Sequence, residues 1–243
     1  MTLHPDDTIR VRDIELCFRG GAARPPESSD KLIYVHKGRP FVSRMDAVLS
    51  RIEPRRMVEV GILDGGSTIY WQYMHQLECL IAFELSPSAP CLTNYLQRNQ
   101  LTEIHPHFGA SQSDGAALRA AILNDTSEPI DAVIDDASHM YAETRATVET
   151  LLPFVRHGGV YIIEDWAWGH HCDWQPDWWT DLPLMSPLLV ELMLVCGYSS
   201  EIIQKVEIDT NFIVLWRGNK LLPQDGSFKL TDHYVARGFS VAL

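Results

Sequence analysis

Residues Ile130 to Trp166, IDAVIDDASHMYAETRATVETLLPFVRHGGVYIIEDW, decide how this chain folds. Two apolar runs, Ala132-Val133-Ile134 and Val160-Tyr161-Ile162-Ile163, each lead straight into paired carboxylates, Asp135-Asp136 and Glu164-Asp165. Short β-branched runs without polar alternation read as strands covered on both faces, as parallel strands of an α/β sheet are. Between them, Ala146, Val148, Leu151, Leu152 and Val155 recur at helical spacing within a helix expected from Tyr141 to Val155, and His157-Gly158-Gly159 reads as its stop. The segment is a strand-helix-strand unit. A right-handed crossover brings both strand ends to one edge of the sheet, so four carboxylates and His139 are expected to converge there. Carboxylates so grouped repel one another unless they share a cation or a proton.

Working outward, Arg56 to Ile62 reads as an earlier buried strand that runs into Leu63-Asp64-Gly65-Gly66-Ser67 and a helix from Thr68 to Gln76. Leu80 to Phe83 reads as a strand ending at Glu84, Pro90 to Leu101 as a helix and Ile104 to Phe108 as a strand. A polar turn, Ser111-Gln112-Ser113-Asp114, then precedes a helix from Gly115 to Leu123. Further upstream, Arg44 to Ile52 reads as a helix packed on the sheet. Residues 1 to about 30 are polar and contain Gly20-Gly21 and Pro25-Pro26, so a mobile arm, ordered by a partner subunit, is expected there. Downstream, Leu182 to Gly197 reads as a long apolar helix. Two strands follow, Ile202 to Ile208 and Phe212 to Trp216, separated only by Asp209-Thr210-Asn211, a link that permits an antiparallel hairpin but no helical crossover.

At 243 residues and 46% hydrophobic content the chain can bury a sizeable core. No apolar run reaches the roughly 18 to 20 residues of a membrane span, and the N-terminus lacks a basic-then-apolar signal pattern, so a soluble, cytoplasmic protein is expected. The five cysteines are scattered and form no CxxC pair, which argues against a disulfide framework or a zinc knuckle. A formal charge of -12 without a basic stripe works against a phosphate backbone as ligand. The expected partner is a neutral or cationic small molecule, together with further copies of the chain.

The turn Glu59-Val60-Gly61-Ile62-Leu63-Asp64-Gly65-Gly66-Ser67 sits between a strand and a helix, where glycines let a ligand approach the backbone. A nicotinamide-cofactor site calls for G-x-G-x-x-G, and Leu63 stands where the second glycine belongs. The pattern E-x-G-x-x-x-G-x-S resembles instead the first motif of the class I S-adenosylmethionine-dependent methyltransferases. The resemblance implies an α/β fold with a Rossmann-like seven-stranded sheet closed by the C-terminal antiparallel hairpin. It also implies S-adenosylmethionine as cofactor, held by Glu59, Gly61, Asp64, Gly65 and Ser67, with Glu84 accepting from the ribose hydroxyls. Residues 1–55 would form the arm and helix, 56–218 the catalytic domain with a lid at 166–181, and 219–243 an extension.

The second constellation, Asp135-Asp136-Ala137-Ser138-His139 with Glu164-Asp165, offers oxygen ligands suited to a hard cation and an imidazole to take a proton. D-D-x-S-H with a downstream G-G-x-Y-x-I-E-D resembles the metal-dependent sugar O-methyltransferases of macrolide biosynthesis and related proteins described as cephalosporin hydroxylases. The likeness covers about Met57 to Trp166, with Ala137 where that group has glycine. It implies Mg²⁺ held by Asp136, Glu164 and Asp165, His139 as general base, and Ser111, Gln112 and Asp135 on the cofactor side. Strand-end carboxylates can equally serve to cap the following helix.

Five of the 7 tryptophans (Trp166, Trp168, Trp174, Trp178, Trp179) fall between 166 and 179, with His170 and His171 among them. Indole faces suit sugar rings, so Trp166, Trp168, His170, His171 and Trp174 are candidate substrate contacts, although such clusters also pack cores and interfaces. The expected reaction is methyl transfer to a sugar hydroxyl of a glycosylated natural product or an oligosaccharide, such as a methylated mannose polysaccharide precursor. Two alternatives stand beside it: a catechol-type O-methyltransferase, and a non-methylating oxygenase-like or binding protein with iron at His139, His170 and Asp136.

Overall fold

The computed structural model describes residues 7–21, 27–170, 184–235 and 237. The chain divides into two compact units, Met1–Ala110 and Ser111–Leu243. Among the described residues, no helix is long and apolar enough to cross a membrane.

The first unit opens with a small sheet rather than an unstructured arm. Strand β1 (Thr8–Val11) pairs antiparallel with β2 (Ile14–Phe18), and β2 runs parallel to β3 (Leu32–Val35), with Glu15 opposite Leu32. Ile14, Leu16, Cys17, Phe18 and Ile33 are buried, which offsets the polar outer face. Helix α1 (Arg39–Leu49) begins earlier than its apolar spacing suggests, because Pro40 occupies the first turn, where its missing N–H has no intrahelical acceptor to lose. There follow β4 (Arg56–Val60), α2 (Gly66–His75), β5 (Cys79–Glu84), α3 (Pro90–Asn99) and β6 (Ile104–Phe108). The three strands are parallel, Val58 lying opposite Ile81 and Leu80 opposite Ile104. Pro106 is tolerated within β6 because that strand ends the sheet.

Helix α2 is held against β3 at one point that allows no side chain. A Cβ on Gly66 would stand 2.2 Å from the Tyr34 carbonyl oxygen and 2.8 Å from its carbon, both backbone atoms. Gly66→Ala is expected to lower stability by about 3 kcal/mol or more, at the upper end of overpacking costs because backbone must move. A denaturant midpoint within error of wild type would refute this close approach.

The second unit contains α4 (Gly115–Asp125), β7 (Ile130–Asp135), α5 (Tyr141–Leu151), β8 (Val155–Glu164), α6 (Ser186–Tyr198), β9 (Ile203–Ile208) and β10 (Phe212–Arg217), with short 3-10 turns at Leu152–Phe154, Trp168–His170 and Leu230–His233. The Asp114 carboxylate caps α4 by accepting from the Ala117 N–H at 3.0 Å. Helix α5 ends at Leu151, two residues before Pro153, so His157-Gly158-Gly159 is not its stop. Those three residues lie inside β8, beside a register shift against β7 between Ile130 and Ala132. Gly158 is left-handed there (φ +72°), and a Cβ on Gly159 would meet the Asp131 carbonyl at 2.5 Å, so the glycines serve the irregularity.

The seven-stranded mixed sheet has the order β6-β5-β4-β7-β8-β10-β9. Strand β8 runs parallel to β7, while β10 lies antiparallel to both β8 and β9, so the expected terminal hairpin is present. The lid expected at 166–181 and the start of the helix expected from Leu182 fall mostly outside the described residues.

Candidate active site

In the first unit, the turn from β4 to α2 alternates left-handed residues: Gly61 (φ +85°), Leu63 (φ +52°) and Gly65 (φ +84°). For Leu63 this conformation costs about 1 kcal/mol, and its amide is held there by a carboxylate. One oxygen of Glu84, at the end of β5, accepts from Ile62 N at 3.1 Å and Leu63 N at 2.7 Å, and the other from Ser86 N at 2.8 Å. Gly65 precedes α2 without a capping side chain, so the helix start has the backbone character of an anion-binding turn. Asp64 is half-buried and Ser67 buried on the same turn.

Glu59, expected on the cofactor, is directed elsewhere. It is fully buried and accepts from Thr68 Oγ1 at 2.7 Å and Trp71 Nε1 at 3.2 Å, which braces β4 against α2.

In the second unit, Asp136, His139 and Asp165 each present one ligand atom, and the three lie within 4.8 Å of one another. His139 Nε2 is 3.7 Å from Asp136 Oδ1. His139 (φ +56°) and Asp165 (φ +51°) are both left-handed, a conformation that needs support from the surroundings. For Asp165 the support comes from the turn between β9 and β10: its N–H donates to the Asn211 carbonyl at 2.6 Å, and the Trp166 indole N–H donates to the Asp209 carbonyl at 3.0 Å. The short link that betrays the hairpin in the sequence thus also holds the chain at Asp165. Glu164, the last residue of β8, is 1% exposed and outside the group of three.

Asp135 is tied into the protein. Gln112 Nε2 donates to its Oδ1 at 2.7 Å and the Tyr161 hydroxyl to its Oδ2 at 2.9 Å. Burial pushes the Asp135 carboxyl up to about 7; the Tyr161 hydrogen bond opposes this and the charge of Asp136 adds to it. Burial, then the Asp135 charge, holds the Tyr161 phenol well above its ordinary value. The Ser111 hydroxyl lies 3.0 Å from that of Ser113. The role of Tyr161 was missed by sequence reasoning; its one signal was a phenol in an aliphatic run leading to an acidic pair.

Among the candidate substrate residues, Trp168 sets its ring edge-on to His139, with centroids 5.6 Å apart. Trp166 is committed to the hairpin turn by its indole N–H. His170 is exposed and is not in the group with Asp136 and His139, so the two-histidine iron arrangement of these residues does not form. His171 and Trp174 lie outside the described residues.

The loop, the acidic strand ends and the terminal hairpin together fit one class of protein. Residues 58–166 match the family model described as a methyltransferase domain, and the sheet with its antiparallel last pair is the sheet of class I methyltransferases. In sequence pattern and in fold, these residues are similar to a class I methyltransferase domain. The chain is 29% identical over 178 residues to the 8-demethyl-8-(2-methoxy-alpha-L-rhamnosyl)-tetracenomycin-C 3'-O-methyltransferase of Streptomyces olivaceus, a match covering 67% of this chain and 42% of that protein. It is 48% identical over 116 residues to the 8-demethyl-8-alpha-L-rhamnosyl tetracenomycin-C 2'-O-methyltransferase of the same organism, covering 45% of this chain and 28% of that one. Among solved structures, the MycE methyltransferase of the mycinamycin pathway, in complex with Mg, SAH and mycinamycin VI, has a similar fold: TM-score 0.57 and 23% identity over 73% of this chain and 49% of that one. Each match spans less than half the length of the relative.

Proposed function

We propose that the protein is an S-adenosylmethionine-dependent, Mg²⁺-assisted O-methyltransferase acting on a sugar hydroxyl of a glycosylated small molecule. The observation that carries this reading is the convergence of Asp136, His139 and Asp165 at the end of two adjacent strands in a methyltransferase domain. The acceptor class is supported by similarity to enzymes that methylate rhamnosyl groups.

The donor set fits both groups. Two part-exposed carboxylates suit a hard divalent ion, and the left-handed, uncapped turn at Gly61 to Ser67 suits the amino-acid end of the cofactor. When bound, S-adenosylmethionine supplies an electrophilic methyl group, and Mg²⁺ lowers the pKa of a coordinated hydroxyl.

On this reading Asp136 and Asp165, with Glu164 beside them, hold the ion, and His139 receives the acceptor's hydroxyl proton at Nε2, the nitrogen on the Asp136 side. Trp168 restricts the His139 ring and offers an apolar edge beside it. Glu84 fixes the Ile62 and Leu63 amides, so the cofactor turn is preorganised, although its oxygens must trade those bonds to accept from a ribose.

The test is methyl transfer to a rhamnosylated polyketide, with and without chelator. Asp136→Asn is expected to lower the Mg²⁺-stimulated rate at least as much as loss of a metal's outer-shell partner does, roughly 10- to 100-fold. Full activity after chelation would remove the metal from the mechanism. Transfer to catechol but not to the glycoside would favour the planar-diol class.

A further inference from the structure

Gln112 occupies a position that the cofactor-side reading leaves unexplained. It is 8% exposed, and its one amide group is engaged at both ends by the same short stretch of chain. Nε2 donates to Asp135 Oδ1 at 2.7 Å, while Oε1 accepts the N–H of Ser138 at 3.2 Å. Between these anchors lie Asp136 and Ala137, and His139 follows the second anchor, Ser138. The backbone carbonyl of Gln112 faces α5, where Thr147 Oγ1 lies 3.3 Å away and shares its one proton with the nearer Glu143 carbonyl at 2.9 Å. On the far side of Asp135, Tyr161 of β8 donates to Oδ2 at 2.9 Å, so both oxygens of this buried carboxylate have protein donors. Ser138 Oγ then accepts from Met140 N at 3.2 Å, which fixes the chain just beyond His139.

We infer that Gln112 is a positioning residue: its side-chain amide clamps the turn Asp135 to Ser138 at both ends and so sets the separation of Asp136 and His139, with Tyr161 as the clamp's second anchor. The inference rests on the proposed function for its catalytic consequence, but the clamp is a property of the fold. The physical case is the left-handed His139, which stays in that conformation only if the backbone on either side is restrained. Hydrogen bonds made by a buried amide whose partners are themselves buried or backbone provide that restraint more cheaply than a mobile side chain could. A Gln112 that instead served the cofactor would need to give up one of these two bonds to do so.

The variants Gln112→Met, which keeps the volume and removes both bonds, and Tyr161→Phe distinguish the possibilities. For Gln112→Met the expected result is Mn²⁺ affinity lowered about 10-fold or more and kcat lowered at least as much, with the Kd for S-adenosylhomocysteine within twofold of wild type. Tyr161→Phe should show the same split with a smaller change. A loss of S-adenosylhomocysteine affinity with Mn²⁺ affinity unchanged would make Gln112 a cofactor ligand and overturn the proposal, as would a uniform loss of both or no change in either. A wild-type protein that binds no Mn²⁺ and transfers no methyl would defeat the functional reading instead. The clamp then stands or falls on hydrogen exchange of the Ser138 amide, which Gln112→Met should accelerate at least 10-fold and which an unchanged rate would disprove.

Discussion

Replacing His139 by asparagine should lower kcat by at least about 100-fold while leaving the Kd for S-adenosylhomocysteine unchanged, the loss expected when a general base is removed. Asparagine is preferred to alanine because His139 is left-handed, and asparagine adopts that conformation with little penalty. The variant therefore keeps the turn while losing a group able to take the proton. The separation of effects is expected because His139 lies 3.7 Å from Asp136 and edge-on to Trp168, whereas the turn proposed to take the cofactor, Gly61 to Ser67, has its Ile62 and Leu63 amides held by Glu84. Single-turnover measurement with saturating glycoside and Mg²⁺ is the check. Retention of more than about a tenth of the wild-type rate would show that His139 is not the base.

Arg145→Met should destabilise the protein by about 3 kcal/mol and lower Tm by roughly 6 to 12 °C. Arg145 lies between two carboxylates almost wholly removed from water, donating to Glu191 Oε2 at 2.9 Å and lying 3.2 Å from Glu149 Oε1, with Glu191 1% and Glu149 5% exposed. Tyr141 also donates to Glu191; burial, and then that bond, hold its phenol well above the ordinary range. Lys229 and the Leu230 amide complete Glu149 at 2.9 and 3.1 Å, so one network ties α5, α6 and the C-terminal 3-10 turn together. Removing the guanidinium leaves Glu191 with the phenols of Tyr141 and Tyr234 but no cation, and the penalty is the desolvation of that charge. The lower end of the usual 3 to 5 kcal/mol applies because Arg145 is itself 21% exposed. The double variant Arg145→Met with Glu191→Met should recover part of the loss, since no unpaired carboxylate remains. A single-variant change below about 1 kcal/mol would mean that the pair behaves as a surface pair.

Elements whose identity depends on local pattern are legible in the sequence. Ile104 to Phe108 was expected as a strand and is one, and the β-branched runs before Asp135 and Glu164 are strands covered on both faces. Elements that depend on distant partners are not. The segment from Thr8 to Phe18 reads as a polar arm because its second strand completes its pairing only with Leu32 to Val35, across the Gly20-Gly21 and Pro25-Pro26 stretch that suggests disorder. The end of α5 is set by Pro153, a stronger helix breaker than the glycines at 158 and 159, which lie within β8.

For the site, the chain by itself determines which residues arrive at the strand ends, because a βαβ crossover has one hand and the hairpin link is too short for anything else. It therefore determines the class of fold and the inventory of carboxylates. Only the tertiary structure decides what each carboxylate does. Neighbours along an extended chain point to opposite faces, so of Asp135 and Asp136 one turns inward to Gln112 and Tyr161 while the other meets His139 and Asp165. Glu59 and Glu84 are likewise drawn to protein donors, the first to α2 and the second to the loop's own amides. Those assignments depend on left-handed turns at Leu63, His139 and Asp165 that no local preference predicts, since the bonds holding them come from residues far away in the chain.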